Sequence, residues 1–298
     1  MTVRVGMVAP QDGAQVALAE KLGADSLWVG GHVVFPAPTP ETMVWLARLV
    51  EQTVSVTVGT AVLVLPLYQP AVIAKQIADL DRVCGGRLVL GVGVGGEHPP
   101  EFEACQVPLA GRGRRTDEAI NVMRHLWSGQ PVNHRGEFFS MADIRLNPPP
   151  HTPNGPPVVV AGRQPAAMRR AAIIGDGWMP YMYSPRKYAQ SAAYIKELAG
   201  ENDRELTDFT WAVYVPVCVD DDAGAARRSA AAALGGAYNQ DFTDLVARVG
   251  AAGTVEDVVS RLLEYVDAGV QHIVLMPSRF DEKHTECLLT DVAPRVRG

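Results

Sequence analysis

The sequence predicts a closed (β/α)8 barrel, a TIM barrel, built by a single domain over residues 1–298. Two observations carry this reading. Strand-like and helix-like segments alternate along nearly the whole chain, and alternating βα units build a parallel sheet. Eight such units fit into 298 residues, a usual length for a barrel that carries an insertion. The apolar runs are continuous, as strands buried on both faces are. A doubly wound open sheet shares that property and is the runner-up, but eight units without obvious halves favour closure.

Residues 3–9, VRVGMVA, form the first strand, and 11–23 a helix with Val16, Ala19 and Leu22 at helical spacing and Gly23 at its end. ADSLWVG (24–30) is the second strand and PETMVWLARLVEQT (40–53) its helix. VSVTVGTAVLV (54–64) is the third strand, followed by a helix over 70–86 that starts at Pro70 and stops at glycines. RLVLGVGVG (87–95) is the fourth strand, and RRTDEAINVMRHLWSG (114–129) the helix after it. Then the alternation breaks. Residues of about 129–156 are rich in proline and polar turns, which predicts an insertion after the fourth unit, with a short hairpin in it. PPVVVAG (156–162), DGWMPYM (176–182), DFTWAVYVPVCV (208–219) and VQHIVLMP (270–277) supply strands five to eight. Helices over 164–175, 184–200, 221–234, 254–269 and the C-terminus accompany them.

Composition excludes several function classes. A formal charge of -6 argues against non-specific nucleic-acid binding, which needs clustered positive charge. Cys84, Cys105, Cys218 and Cys287 stand far apart without a CxxC pair, predicting reduced thiols in a cytoplasmic protein. No Cys/His spacing suits zinc and no HExxH occurs, so no metal is expected. The start, MTVRVGMVAP, lacks the basic and apolar regions of a signal peptide. Pro66 and Pro70 divide the uncharged stretch 57–74, which argues against a membrane span.

In a barrel, chemistry sits at the C-terminal ends of the strands. Strand two delivers His32 there after two glycines. Strand three delivers Ala61 and Val62, and strand four Gly93, Val94, Gly95, Gly96 and Glu97. Strand five delivers Ala161, Gly162 and Arg163, strand six Gly177 and Trp178, and strand eight Arg279. Such a rim, rich in glycine and poor in charge, suits a large planar ligand approaching the backbone. It offers no GxSxG nucleophile and no paired carboxylates for glycoside hydrolysis. GVGVGG (91–96) follows the fourth strand, not the first, so it is not a dinucleotide fingerprint. Tight packing and close contact with a cofactor both account for its glycines. Gly162 and Arg163 before a helix starting near Pro165 suit a phosphate, or equally an ordinary turn with an exposed arginine. GRGRR (111–115), followed by Asp117 and Glu118, reads as a solvated salt-bridged face; an anionic cofactor tail is the sharper reading.

Residues 59–96, 112–127, PPVVVAG (156–162) and GDGWMP (175–180) together, in that order, resemble the bacterial luciferase-like monooxygenase superfamily, and within it the coenzyme F420-dependent oxidoreductases. Flavin-using members share these motifs, so FMN is the alternative cofactor. The resemblance implies a barrel with an insertion, a deazaflavin across its mouth, and a small-molecule substrate. It implies a non-proline cis peptide at Ala61–Val62 behind the ring. Ring and ribityl contacts fall to Val94, Gly95 and Gly96, and phosphate contacts to Gly162 and Arg163. Gly93, Ala161, Gly177 and Trp178 complete the expected cofactor-binding set.

In many relatives an acidic residue precedes the strand-two histidine. Here Gly31 occupies the acidic position and His32 the histidine. His32 is therefore expected to face the substrate and to serve a carbonyl with a proton or hydrogen bond. It is expected to lack the neighbouring carboxylate that could orient it. Gly96 stands where some sugar-phosphate-oxidising relatives carry glutamate, which speaks against that substrate class. Glu97 and Arg279 join His32 as candidate substrate contacts. The expected function is hydride transfer between F420 and an uncharged or weakly polar organic molecule. An oxygen-using FMN monooxygenase and a flavin-binding barrel without turnover are the alternatives. Barrels of this superfamily are often dimers, so a homodimer is the expected assembly, with VWLARLV (44–50) as either its outer face or an inner helix face. The 130–155 excursion has the length of a gating loop or of a passive one.

Overall fold

The computed structural model describes residues 2–238 and 241–298. Its first strands are β1 (Arg4–Val8), β2 (Ser26–Val29), β3 (Thr57–Thr60), β4 (Leu63–Val64) and β5 (Leu88–Gly93). A hairpin of β6 (Val132–Arg135) and β7 (Ser140–Ile144) precedes β8 (Val158–Ala161), β9 (Gly177–Met179), β10 (Thr210–Val219), β11 (Ala251–Gly253) and β12 (His272–Pro277). The parallel ring runs β1–β2–β3–β5–β8–β9–β10–β12 and returns to β1, closed by the β9–β10 and β12–β1 ladders. These are the eight strands that the alternation predicts. The third position is shared. β3 pairs with β5 at Val58 and Gly59, β4 pairs with β5 at Leu63 and Val64, and the residues between leave the ladder. The Ala61–Val62 peptide within that break is cis.

Helices α1 (Gly13–Lys21), α2 (Thr42–Gln52), α3 (Pro70–Val83), α4 (Pro99–Ala104), α5 (Arg112–Trp127) and α6 (Pro165–Ile174) cover the first part of the barrel. After them come α7 (Pro185–Gly200), α8 (Ala223–Tyr238), α9 (Thr243–Val249), α10 (Val255–Asp267), α11 (Glu282–Glu286) and α12 (Ala293–Arg297). Each long helix turns an apolar stripe to the sheet: Leu46 and Leu49 on α2, Ile73 and Ile77 on α3, Ile120 and Met123 on α5 are fully buried. The hairpin lies inside the predicted insertion, with Arg135 opposite Ser140. Three short elements escape the sequence reading: α4, α9 and β11. One helical turn or three strand residues is too little for a periodic signal. The prolines at 99 and 100 look like a turn, but proline at the first helical positions is favourable, and α4 starts there. No helix among the described residues is long and apolar enough to cross a membrane.

Period-two alternation decides what fills the barrel. Trp28, Val159, Met179, Ala212 and Val274 meet in the lumen, edged by Ala61, Val62, Val89 and Tyr214. Gly59 makes room for the indole, since a Cβ there would come within 2.6 Å of the Trp28 ring. Trp28 Nε1 donates to Ser26 Oγ at 2.6 Å, and Ser26 Oγ lies 2.6 Å from His272 Nε2. His272 is 1% exposed. Its Nδ1 has no partner among the described residues. Burial, helped by the Arg4 charge, lowers the His272 pKa to about 3, so the ring is neutral at ordinary pH.

Candidate active site at the barrel mouth

The second strand ends in Gly30 and Gly31, and the chain then turns so that His32 N donates to the Pro40 carbonyl at 3.3 Å. A Cβ on Gly31 would overlap that same carbonyl oxygen, so an acidic residue cannot stand there with this loop in place. The His32 ring stacks on Phe35 with centroids 4.1 Å apart. Its Nδ1 lies 3.1 Å from Glu101 Oε2 and 3.2 Å from Oε1. The His32 side chain is 23% exposed and that of Glu101 2%. Glu101 Oε1 also accepts the Val33 amide at 2.8 Å. The expectation of a histidine without a carboxylate is thus corrected. α4 brings one in from 69 positions down the chain, because the loop leaves no space for it at 31.

Further acids lie behind this pair. Tyr68 donates its hydroxyl proton to Glu41 Oε1 at 2.6 Å, while Glu41 Oε2 caps α2 by accepting the Val44 amide at 2.8 Å. Burial, then Glu41, Glu101 and Cys105, push the Tyr68 phenol well above its ordinary value. Burial and Glu101 raise the Cys105 thiol.

On the neighbouring wall Ala61 and Val62 are half-buried. Val62 packs where a Cβ on Gly93 would sit, 2.7 Å from its Cγ2. Val94 leads into Gly95 and Gly96, whose φ of 57° and 103° are left-handed and suit glycine. Arg112 covers this loop, its Nε donating to the Gly95 carbonyl and its Nη1 to Leu109 O, both at 3.2 Å. On the next strand of the ring, Ala161 ends β8 and Gly162 follows with φ 125°. The Arg163 guanidinium lies over the Tyr181 ring at 4.9 Å, and the Tyr181 hydroxyl donates to Glu97. Glu97, Tyr181 and Arg163 thereby link the loops after β5, β9 and β8.

Three predicted site residues sit elsewhere. Trp178 is fully buried and tilts against Tyr188 at 4.9 Å; its Nε1 donates to the Gly162 carbonyl at 3.0 Å. It supports the turn after β8 from outside the lumen, because β9 turns Met179, not Trp178, inward. Gly177 lies below the rim, level with Val159 and Thr210. Arg279 donates to Val219 O at 2.8 Å and pairs with Asp220 and Asp281, both at 3.4 Å, which ties it to the end of β10. The GRGRR arginines also differ in their partners. Arg114 pairs with Glu137, Arg115 donates to Pro66 O, and Asp117 holds Arg170. A groove of about 450 Å³ between α5 and α6 includes Arg114, Asp117 and Arg170 in its lining, so much of its charge is already paired.

The arrangement offers an imidazole with a buried carboxyl partner, glycine-lined backbone after β5, and beside it an arginine-bearing turn after β8. Such a set can exchange one proton beside a large bound ring.

A family model described as luciferase-like monooxygenase matches residues 8–272, and the chain belongs to that family. It is 26% identical to an F420-dependent glucose-6-phosphate dehydrogenase of Amycolatopsis mediterranei, over 97% of this chain and 95% of that one. Among solved structures, an F420-dependent secondary alcohol dehydrogenase in complex with an F420-acetone adduct superposes with a TM-score of 0.88 at 23% identity, covering 100% of both chains. The coenzyme F420 dependent tetrahydromethanopterin reductase of Methanopyrus kandleri superposes with a TM-score of 0.84 at 19% identity, covering 99% of both.

Proposed function

We propose that this luciferase-like family member is an F420-dependent oxidoreductase that moves a hydride between the deazaflavin and a small uncharged alcohol or carbonyl compound. The carrying observation is His32 at the end of β2, backed at 3.1 Å by the buried Glu101. The names of the relatives, a sugar-phosphate dehydrogenase and an alcohol dehydrogenase that both use F420, support the cofactor.

The rim fits that group. Gly93, Val94, Gly95 and Gly96 would hold the ring and its polyol chain, with Ala61 and Val62 behind. Gly162 and Arg163 would take the phosphate through backbone amides and a guanidinium. When bound, the deazaflavin supplies or accepts the hydride. His32 takes the hydroxyl proton of an alcohol, or returns it to a carbonyl oxygen. Val33 and Val34 beside His32, and Phe280 after β12, are exposed apolar side chains. Arg112 and Arg279 are spent on carbonyls and aspartates, which supports a neutral substrate over a phosphorylated one. One domain, a homodimer and a cytoplasmic location belong to the same reading.

The test is a parallel titration of the purified apo-protein with F420 and with FMN, then turnover on secondary alcohols, ketones and glucose 6-phosphate. Tight deazaflavin binding with turnover of a neutral substrate supports the proposal. Preference for FMN with oxygen uptake overturns it in favour of a monooxygenase. Deazaflavin binding without any turnover would leave a binding barrel.

A further inference from the structure

We propose that Glu101 is a positioning residue that fixes the tautomer of His32. Its carboxylate holds the ring proton on Nδ1 and leaves the Nε2 lone pair for the substrate. This rests on His32 being the acid–base group of the reading above.

The argument starts from donors and acceptors. An ionised carboxylate only accepts. Glu101 Oε1 already takes the Val33 N–H at 2.8 Å, with the Val34 amide at 3.4 Å, so that oxygen already acts as an acceptor. Both oxygens lie within 3.2 Å of His32 Nδ1, and a lone pair there would face two acceptors. The proton therefore belongs on Nδ1. Phe35 stacks on the ring at 4.1 Å and fixes its plane. The other titratable groups around the pair are His98, edge-on to Phe35 at 5.8 Å, and Glu41, Tyr68 and Cys105 beyond Glu101. Among the described residues, Glu101 alone supplies Nδ1 with an acceptor. α4 thereby does from behind what residue 31 cannot, given the Pro40 carbonyl against it.

Glu101 also anchors the 31–40 loop, and the test separates the two roles. Glu101→Gln keeps a carbonyl oxygen for the Val33 amide but offers N–H to Nδ1. The ring must then accept at Nδ1 and carry its proton on Nε2. Long-range ¹⁵N–¹H spectra of the apo-protein read the tautomer directly, assigned with His32→Gln. The expected result is Nδ1–H in the parent chain and Nε2–H in Glu101→Gln, with kcat lower by about 100-fold and KM and deazaflavin affinity within about threefold. An Nε2–H tautomer in the parent overturns the proposal without any variant. So does a Glu101→Gln protein that keeps both its tautomer and its kcat, which would make Glu101 a loop anchor only. Should F420 fail to bind the parent, the functional reading falls while the spectra still decide this one.

Discussion

At the barrel mouth His32 meets a carboxylate and keeps about a quarter of its side chain open to solvent. Lower in the lumen His272 has a serine hydroxyl at one nitrogen and Trp28 edge-on to its ring, and is closed off, with the other nitrogen unmatched among the described residues. The two rings are the same group in opposite surroundings. His272 is closed off from solvent and faces no carboxylate among the described residues, so burial drives its pKa to about 3 and leaves it a neutral strut under Trp28. His32 has an anion at hand for the imidazolium that forms whenever it takes a proton. What makes a histidine chemically useful in this barrel is the neighbour at its second nitrogen.

The sharpest way to break this contrast is His32→Ala. kcat/KM should fall by about 1,000-fold while deazaflavin affinity stays within threefold; steady-state kinetics that show unchanged turnover would remove the mouth from the comparison. Gly31→Asp restores an acidic side chain at 31, but its Cβ meets the Pro40 carbonyl. A loss of about 2–3 kcal/mol is expected, read by urea denaturation, and full stability would mean that the loop yields easily. His272 contributes through pH. Unfolded, it titrates near 6.5; folded, near 3. The unfolded chain therefore binds more protons below about pH 6.5, and stability falls as pH drops from there toward 3. By pH 5 this amounts to about 2 kcal/mol, which His272→Asn should remove. His284, lowered by burial, acts in the same direction and remains in the variant. A pH dependence identical in both proteins would contradict the neutral strut. The smallest effect is expected from Arg279→Ala. It should cost about 1 kcal/mol of stability and leave kcat/KM within threefold, whereas a tenfold loss of activity would return Arg279 to the substrate.

Long apolar strands made the barrel readable. Each of the eight runs carries enough branched or aliphatic residues to mark a buried parallel strand, and the break at Ala61–Val62 falls where the family-like GTAV segment places it. Side-chain direction was less legible. GWM in β9 is apolar on both faces, and three residues set no phase, so Trp178 was expected inside and lies outside. Glu101 was the larger omission. It stands 69 residues from His32, on a short helix behind two prolines, and only the fold brings the two together. A weak signal existed: an acidic residue beside Phe102, which is 1% exposed, on a segment following a strand end. The arginines were misjudged because their acceptors, Gly95 O, Pro66 O and Val219 O, are backbone atoms that composition does not reveal.

The β6–β7 hairpin interrupts the chain between the fourth and fifth barrel units, and this has an evolutionary consequence. His32 and Glu101 both precede it; Gly162 and Arg163 both follow. Recombination within the hairpin would transmit the His32–Glu101 pair intact from one parent and the Gly162–Arg163 turn from the other. A chimaera of two half-barrels would thus take residues 32, 61–62, 93–96 and 101 from one ancestor and the 162–163 turn from the other. The seams it would have to re-match include Glu97 with Tyr181, Asp117 with Arg170, and Arg124 with Asp176.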